Sequence, residues 1–246
     1  MALKASPEDQ ALLLDLQAID TKLQQLAHRA KSLAEHAVLE KLGAEKSELQ
    51  RELGEQNGVL EDAKIELSRV ESDVAVVEAR IARDSARLQA SSSTKDVAAL
   101  EQELAALNKR QFDLEEIELT VMERVEAQSG VVAELGAKVG GVQVSVVSAE
   151  SDRDAAMQTI DAERNNASAN RSVIAAKVPV DLLALYEKQR QRYGSGASHL
   201  RGGISSASGV KLNENDMVAI RAAAPDDVLM CPDSEAILVR TAESGI

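Results

Sequence analysis

One stretch of the chain decides its fold. Residues 97 to 174 read VAALEQELAALNKRQFDLEEIELTVMERVEAQSGVVAELGAKVGGVQVSVVSAESDRDAAMQTIDAERNNASANRSVI. Apolar residues recur in this stretch at gaps of three, four or seven, so they occupy two positions of a seven-residue repeat. A helix that keeps such a seam must lay it against a partner helix and supercoil left-handed. The seam consists of Val97, Leu100, Leu104, Leu107, Leu114, Val121, Val125, Val132, Leu135, Val139, Val142, Val146, Ala149, Ala156, Ile160, Ala167 and Ile174.

The residues before position 90 supply the partner helix. Ser6 offers a capping hydroxyl and Pro7 suits the first helical position, so a helix is predicted to begin there. A first seam runs from Leu12 to Leu33, and a second, offset by two positions, runs from Leu39 to Leu88. The change of phase predicts a kink, a short loop or a local change of winding between residues 33 and 39.

A short interruption at residues 90–95 separates the two seams. It is rich in hydroxyl side chains, and either Thr94 or Ser93, with Asp96 three residues on, suits the cap of a new helix. The flanking arms, 7–89 and 95–174, are similar in length, which is typical of an antiparallel helical hairpin. At about 1.5 Å per residue, each arm would be roughly 120 Å long.

Interior glycines predict a weak zone in the hairpin. Folding the chain at Ser92 places Gly54 opposite Gly130, and Gly43 opposite Gly141, which follows Gly140. A glycine inside a helix costs about 1 kcal/mol relative to alanine. The coincidence indicates a bendable region, and a chance distribution of glycines is the alternative.

The pattern changes after Ile174, which divides the chain into a predicted hairpin, 1–178, and a C-terminal segment, 179–246. A short helix is predicted from Pro179 to Tyr193, and a second from Glu214 to Ala222 with Asn213 as its cap. Strands are predicted at 228–230 and 236–239. The fold class is therefore mainly α: a long antiparallel coiled-coil hairpin followed by a small β-rich module. The apolar residues expected to hold this module together are Val210, Leu212, Val218, Ile220, Val228, Leu229, Ile237 and Val239.

Composition excludes several classes of protein. Aromatic residues make up 1% of the chain and Trp is absent, which argues against a large globular core. The net charge of −13 argues against a protein that binds nucleic acid non-specifically along its whole length. The sequence contains no uninterrupted apolar run of 18 residues, so a membrane span is not predicted. Cys231 is the single cysteine, which excludes an intrachain disulfide. We therefore expect a cytoplasmic protein without membrane contact, either a monomer or a weak dimer.

No pattern of residues predicts an enzyme or a cofactor. The three histidines, His28, His36 and His199, form no metal-ligand spacing with acidic residues. Gly140-Gly141 and Gly202-Gly203 lack the flanking residues of a phosphate-binding loop. Nothing in the sequence supplies a base for Cys231, which is interpreted as a buried thiol.

Several segments resemble a known bacterial family, whose members combine an N-terminal coiled-coil hairpin with a C-terminal four-cysteine zinc ribbon. The similar segments are PVDLLALYE at 179–187, RAAAPDDV at 221–228, CP at 231–232 and AILVR at 236–240. The tip is similar too, at Thr94, Lys95, Asp96, Leu100, Glu103, Leu104 and Arg110. The resemblance implies a ribbon with two C-x-x-C turns, which together hold a tetrahedral zinc ion.

The ligand positions that the resemblance implies are altered in this chain. They fall on Ser205, Ser208, Cys231 and Ser234, so three of the four carry a hydroxyl instead of a thiol. A serine hydroxyl is a poor zinc ligand because its proton is hard to remove at neutral pH. We therefore predict a degenerate ribbon without a bound metal.

The resemblance also implies two kinds of partner. Family members are described as nucleic-acid-binding proteins, and some resemble chaperones for an alternative sigma factor or for components of flagellar and type III export. The residues here that could bind nucleic acid are Lys188, Arg190, Arg192, Arg201 and Tyr193, because basic side chains beside aromatic rings bind phosphates and stack on bases. A solvated helix face is the alternative interpretation, as it is for the basic stripe of Arg80, Arg83 and Arg87 near the tip.

Two hypotheses follow from the sequence. In the first, the chain is a non-enzymatic cytoplasmic scaffold or chaperone-like protein that binds a protein partner through its coiled coil. In the second, the basic segment 188–201 and the ribbon bind nucleic acid. A salt-sensitive gel shift would favour the second hypothesis, and a co-purifying protein would favour the first.

Overall fold

The structure, a computed structural model, describes residues 3–246. Met1 and Ala2, the first residues of the predicted segment 1–178, lie outside that range. The fold class predicted from the sequence is confirmed as mainly α, with a long helical hairpin and a small C-terminal mixed sheet. The helices are α1 Pro7–Lys31, α2 Ala34–Ala90, α3 Thr94–Ala175, α4 Val180–Tyr193 and α5 Glu214–Ala222, with a 3-10 helix at Ala242–Ser244. The strands are β1 Ala197–Arg201, β2 Ile204–Ser205, β3 Leu229–Met230 and β4 Ile237–Val239.

Side-chain caps fix the ends of the long helices. The Ser6 hydroxyl accepts a hydrogen bond of 3.1 Å from the Asp9 amide, and Pro7 occupies the first turn of α1. At the tip, Ser93 rather than Thr94 accepts from the Asp96 amide, at 3.4 Å. The break between α1 and α2 lies at residues 32–33, at the N-terminal edge of the range that the change of phase indicated.

The contacts of the chain divide it into two units, Met1–Ala34 with Asp152–Ile246, and Glu35–Ser151. The second of these, the hairpin unit, contains most of α2 and the first part of α3. Gln56 and Gln128, which the predicted register places opposite each other, are hydrogen-bonded through their side chains at 2.5 Å. A partly buried polar pair of this kind contributes to the register of a coiled coil. The buried seam of this unit includes Leu60, Ala63, Leu114, Val121, Leu135 and Ala149.

The glycines of the hairpin unit lie on exposed faces of their helices. A Cβ atom built on Gly43, Gly54, Gly130, Gly140 or Gly141 would meet no other atom within 4 Å. These glycines are therefore not required for a close approach between helices. They therefore affect the stability of the hairpin only through the low helix propensity of glycine.

One window of 18 residues within Thr94–Ala175 is long and apolar enough to cross a membrane, judged by length and composition alone. The chain lacks an uninterrupted apolar run of 18 residues, but an apolar window of that length can contain up to two charged residues. A single helix of this kind is weak evidence for a membrane span. The expectation that the protein makes no membrane contact stays a prediction.

The other unit, called the base unit here, combines α1 and the end of α3 with α4 and the C-terminal module. Its four-stranded sheet has the order β2-β1-β4-β3. Strands β1 and β4 are parallel, whereas β2 and β3 pair antiparallel with their neighbours. Helix α5 begins at Glu214 with the Asn213 side chain as its cap, as the sequence predicted.

Two apolar clusters form the core of the base unit. The first cluster joins α1 and α4 to the sheet, and its buried residues are Ala5, Leu13, Leu16, Val178, Leu182, Tyr186, Ala197, Ile237 and Val239. The second lies between the sheet and α5, and it contains Leu200, Leu212, Met217, Ile220, Cys231 and Leu238. The prediction that Val210 and Val218 belong to this core is wrong, because they are 51% and 60% exposed. Val218 lies on the outer face of α5, whose inner face carries Met217 and Ile220.

Candidate functional site

A buried network of charged side chains connects three helices of the base unit. Asp20 of α1 is 1% exposed. Its carboxylate accepts hydrogen bonds from Arg171 of α3, at 2.7 and 3.1 Å, and from the Tyr186 hydroxyl of α4, at 2.7 Å. Glu187 accepts from both Arg171 and Arg190, and Arg190 lies 3.4 Å from Asp20. Two carboxylates and two guanidinium groups thus neutralise one another, which is what a buried charge requires.

Helix α1, which carries Asp20, also positions β1, the first strand of the sheet. The side-chain oxygen of Gln17 accepts hydrogen bonds from the backbone amides of Gly196 and Ala197, at 2.7 and 3.2 Å. A Cβ atom on Gly196 would lie 2.5 Å from two ring carbons of Tyr186. Residue 196 must therefore be glycine for β1 to begin against α1 and α4.

The network changes the proton affinities of its members. Burial by itself raises the pKa of Asp20, but hydrogen bonds from Arg171 and Tyr186 outweigh burial and hold the pKa below its usual value. Burial likewise opposes ionisation of Glu187, and the two arginines lower its pKa in the same way. Burial and the neighbouring Asp20 carboxylate raise the pKa of Tyr186. The phenol therefore stays protonated and acts as a hydrogen-bond donor.

This network was not predicted from the sequence. The seam predicted for the first helix, from Leu12 to Leu33, contains only apolar residues and does not include Asp20. A signal was present, since Asp20 follows the buried Leu13 by seven residues and the buried Leu16 by four, and therefore lies on their face of the helix. The sequence does not show, however, that Arg171, 151 residues further along the chain, lies beside Asp20 in the fold.

Ser205 and Cys231, two of the four positions that the resemblance assigns to zinc ligands, lie in one small polar cluster. The buried Cys231 thiol lies 3.2 Å from the Ser205 hydroxyl, which lies 2.6 Å from the hydroxyl of Ser198. The Ser234 hydroxyl oxygen is buried and lacks a hydrogen-bond partner within normal geometry in residues 3–246. Ser208 is instead engaged in its own turn, where its hydroxyl accepts from the Val210 amide at 3.2 Å. The fold thus brings Ser205 and Cys231 into contact from turns that are 26 residues apart.

This donor set does not fit zinc. A closed structural zinc site needs four ligands, and thiolates or imidazoles supply them. Within the described part of the chain, no group of three or more His, Cys, Asp or Glu side chains is placed to hold a metal ion. Burial raises the pKa of Cys231, but the neighbouring Ser205 and Ser234 hydroxyls and the backbone of 233–234 outweigh burial and hold it below the usual value.

A single arginine organises the segment that follows α5. The guanidinium group of Arg240 donates hydrogen bonds to five backbone carbonyl groups, at distances between 2.6 and 3.4 Å. The acceptors are Ile220, Ala223, Ala224, Pro225 and Asp227. Four of the five acceptors lie in the RAAAPDDV segment at 221–228, and Arg240 is the last residue of the AILVR segment. The hydrogen bonds of Arg240 therefore hold these two resembling segments together.

The candidate nucleic-acid-binding residues are divided among different roles. Arg190 belongs to the buried network, and Arg201 forms an ion pair with Glu243. Arg192 lies over the Tyr193 ring at 5.2 Å from its centroid. Lys188 is exposed and makes no ion pair within residues 3–246. Two of the four basic residues are thus neutralised by acidic partners.

The basic stripe near the tip surrounds a buried acid. Asp84 is 1% exposed, and the guanidinium groups of Arg80, Arg83 and Arg87 lie 3.4 to 3.8 Å from its carboxylate. Arg80 also pairs with Glu103 of α3 at 2.5 Å. The stripe therefore consists of arginines that are paired with acids.

Comparisons with known proteins identify the family. Residues 16–194 match the CT398-like coiled coil hairpin domain family. The chain belongs to this family. A similar curated protein is the uncharacterized protein Rv2229c of Mycobacterium tuberculosis, 33% identical over 240 residues, which cover 97% of this chain and 98% of the relative.

Two solved structures share the fold. One, from Mycobacterium smegmatis, has a TM-score of 0.89 and 35% identity, and the match covers 97% of this chain and all of the other. The second is CT398 of Chlamydia trachomatis, with a TM-score of 0.67 and 18% identity over 95% of this chain and 98% of the other. At that identity the second structure supports the fold alone.

Proposed function

We propose that this member of the CT398-like family is a non-enzymatic, cytoplasmic scaffold or chaperone-like protein that binds a protein partner through its helical hairpin. One observation carries the proposal: the hairpin unit exposes large apolar side chains on faces that its own seam does not use. Phe112, Leu119 and Val144 are 60%, 61% and 70% exposed. Apolar surface that the fold leaves exposed is typical of surfaces that bind other proteins.

In this proposal the C-terminal module is a metal-free descendant of a zinc ribbon. Supporting it, the hydroxyl of Ser205 contacts Cys231 at 3.2 Å, where the family resemblance implies two zinc ligands. Apolar packing around Cys231 and the five hydrogen bonds of Arg240 stabilise the module without a metal. The module would therefore serve as a structural part of the base unit.

The experiment is a comparison of protein and nucleic-acid binding by the full chain. Chemical cross-linking in native cytosol, followed by mass spectrometry, should yield protein adducts at residues 35–151. A gel-shift titration with single-stranded RNA and duplex DNA should show no salt-sensitive binding. A shift that is lost on replacing Lys188 and Arg192 with alanine, in the absence of protein adducts, would contradict the proposal and favour nucleic acid.

A further inference from the structure

A groove on the hairpin unit combines exposed apolar side chains with acidic ones. It has a volume of about 520 Å³, and its apolar lining comes from Leu67 of α2 and from Leu119, Met122 and Val125 of α3. Leu119 and Met122 are 61% and 48% exposed, so the groove is open to solvent. Phe112, which is 60% exposed, lies two helical turns before Leu119 and extends the apolar strip along the same face of α3.

Acidic side chains without basic partners surround this strip. Glu123 and Glu126 line the groove itself, and Glu115 and Glu116 lie on α3 between Phe112 and Leu119. All four are exposed, and none forms an ion pair with any residue of the described range, 3–246. Two nearby bases are neutralised, Lys64 by Glu61 at 3.0 Å and Arg124 by Glu66. Two others, Arg69 of α2 and Lys109 of α3, are exposed near the strip and form no ion pair within residues 3–246, so four unpaired acids face two unpaired bases.

The charge of the rim decides which occupant fits. A second copy of this chain would bring a second acidic surface, and the chain carries a net charge of −13. Nucleic acids and anionic lipid surfaces present phosphates, which the same rim repels. A helix that carries leucine-like residues on one face and lysine or arginine at its margins satisfies both the apolar strip and the carboxylates.

We propose that this groove binds a basic amphipathic helix of a partner protein. The inference rests on the proposed function and specifies the surface and the chemistry of the partner. From Phe112 to Ser129 the strip is about 25 Å long, at about 1.5 Å of rise per residue. The partner helix therefore needs about 16 to 18 residues to cover it. Leu119 and Met122 provide the central apolar contacts, and the glutamates orient the helix and accelerate association.

The test uses the full chain and a fluorescein-labelled peptide of about 18 residues, with leucine at the i, i+3, i+4 and i+7 positions of a helix and lysine on its other faces. We expect fluorescence anisotropy to report saturable binding. The double variant Leu119→Ser with Met122→Ser should weaken binding at least tenfold. Glu123→Gln with Glu126→Gln should weaken binding several-fold and reduce its dependence on salt. These residues are exposed, so the variants should fold like the parent protein, which circular dichroism verifies.

The matched control is Val76→Ser. Val76 is 65% exposed on α2 and does not line the groove. Its replacement should leave the affinity within twofold of the parent value. The inference is overturned if the peptide does not bind, if the control weakens binding as much as the groove variants do, or if a peptide with glutamate in place of lysine binds equally well.

A second arm separates failure of this inference from failure of the proposed function. A photo-reactive phenylalanine derivative replaces either Leu119 or Val144 in the full chain, and cross-linking is performed in native cytosol. Adducts with basic amphipathic segments at position 119 support the inference. Protein adducts at position 144 alone overturn the groove and leave the proposed function standing, whereas the absence of protein adducts at both positions counts against both proposals.

Discussion

Replacement of Asp20 with alanine should destabilise the base unit by about 3 kcal/mol. Removing one partner of a buried ion pair costs about 3 to 5 kcal/mol, because the remaining charge stays buried and unpaired. Here the lower end applies, since Arg171 and Arg190 are 22% and 29% exposed and both keep Glu187 as a partner, so water and Glu187 compensate part of the loss. The substitution would also leave the Tyr186 hydroxyl without its acceptor at 2.7 Å.

Urea unfolding followed by tyrosine fluorescence measures this effect, because Tyr186 belongs to the network. Hydrogen exchange at the amides of Gly196 and Ala197 reports the same region locally, since both amides donate to Gln17 on the next turn of α1. The matched control is Asp15→Ala, which replaces an exposed acid on the same helix. The control should change the free energy of unfolding by less than about 0.5 kcal/mol.

Two outcomes would refute the reasoning. In one, Asp20→Ala costs no more than the Asp15 control, which would mean that water already solvates the network. In the other, the double variant Asp20→Leu with Arg171→Met is as unstable as the sum of the two single variants. Removing both partners eliminates the unpaired charge, so the double variant should recover part of the loss.

Four further predictions concern pH, packing, metal and helix propensity. Because the pKa of Asp20 in the folded protein lies below the unfolded-state value of 3.8, its carboxylate stabilises the fold fully above pH 3.8, and this contribution should be lost as the pH falls through the folded-state pKa. Asp20→Ala should therefore flatten the acid limb of a stability-against-pH curve, and an unchanged limb would contradict this. Gly196→Ala should cost about 1 to 3 kcal/mol in urea unfolding, because its Cβ would meet the Tyr186 ring, and a neutral effect would show that the strand shifts easily. Elemental analysis should find no stoichiometric zinc in the protein, and a chelator should leave its Tm unchanged. A variant with cysteine in place of Ser205, Ser208 and Ser234 should acquire about one zinc per chain if the ribbon geometry persists. Gly130→Ala should stabilise the hairpin by about 1 kcal/mol in urea unfolding, since its Cβ has open space; a loss of stability would mean that the glycine has a role its surroundings do not reveal.

The sequence alone determined the helical architecture. The heptad period of residues 97–174 and the capping residues Ser6 and Asn213 placed helices that the structure confirms. These signals are local, because helix periodicity and caps depend on residues within a few positions of one another. The hairpin followed from the same logic, since two matched seams joined by a short break have one another as partners.

Tertiary structure alone decided which charged groups meet in the base unit. Asp20 and Arg171 are separated by 151 residues, and Asp20 and Tyr186 by 166. No periodic pattern relates such pairs, because each depends on the register of the hairpin and on the docking of α4 and the sheet against α1. The acidic groove has a mixed origin. Leu119 and Glu123 are four residues apart on α3, so helix periodicity places them on one face, but only the packing of α3 against α2 adds Leu67 to that surface.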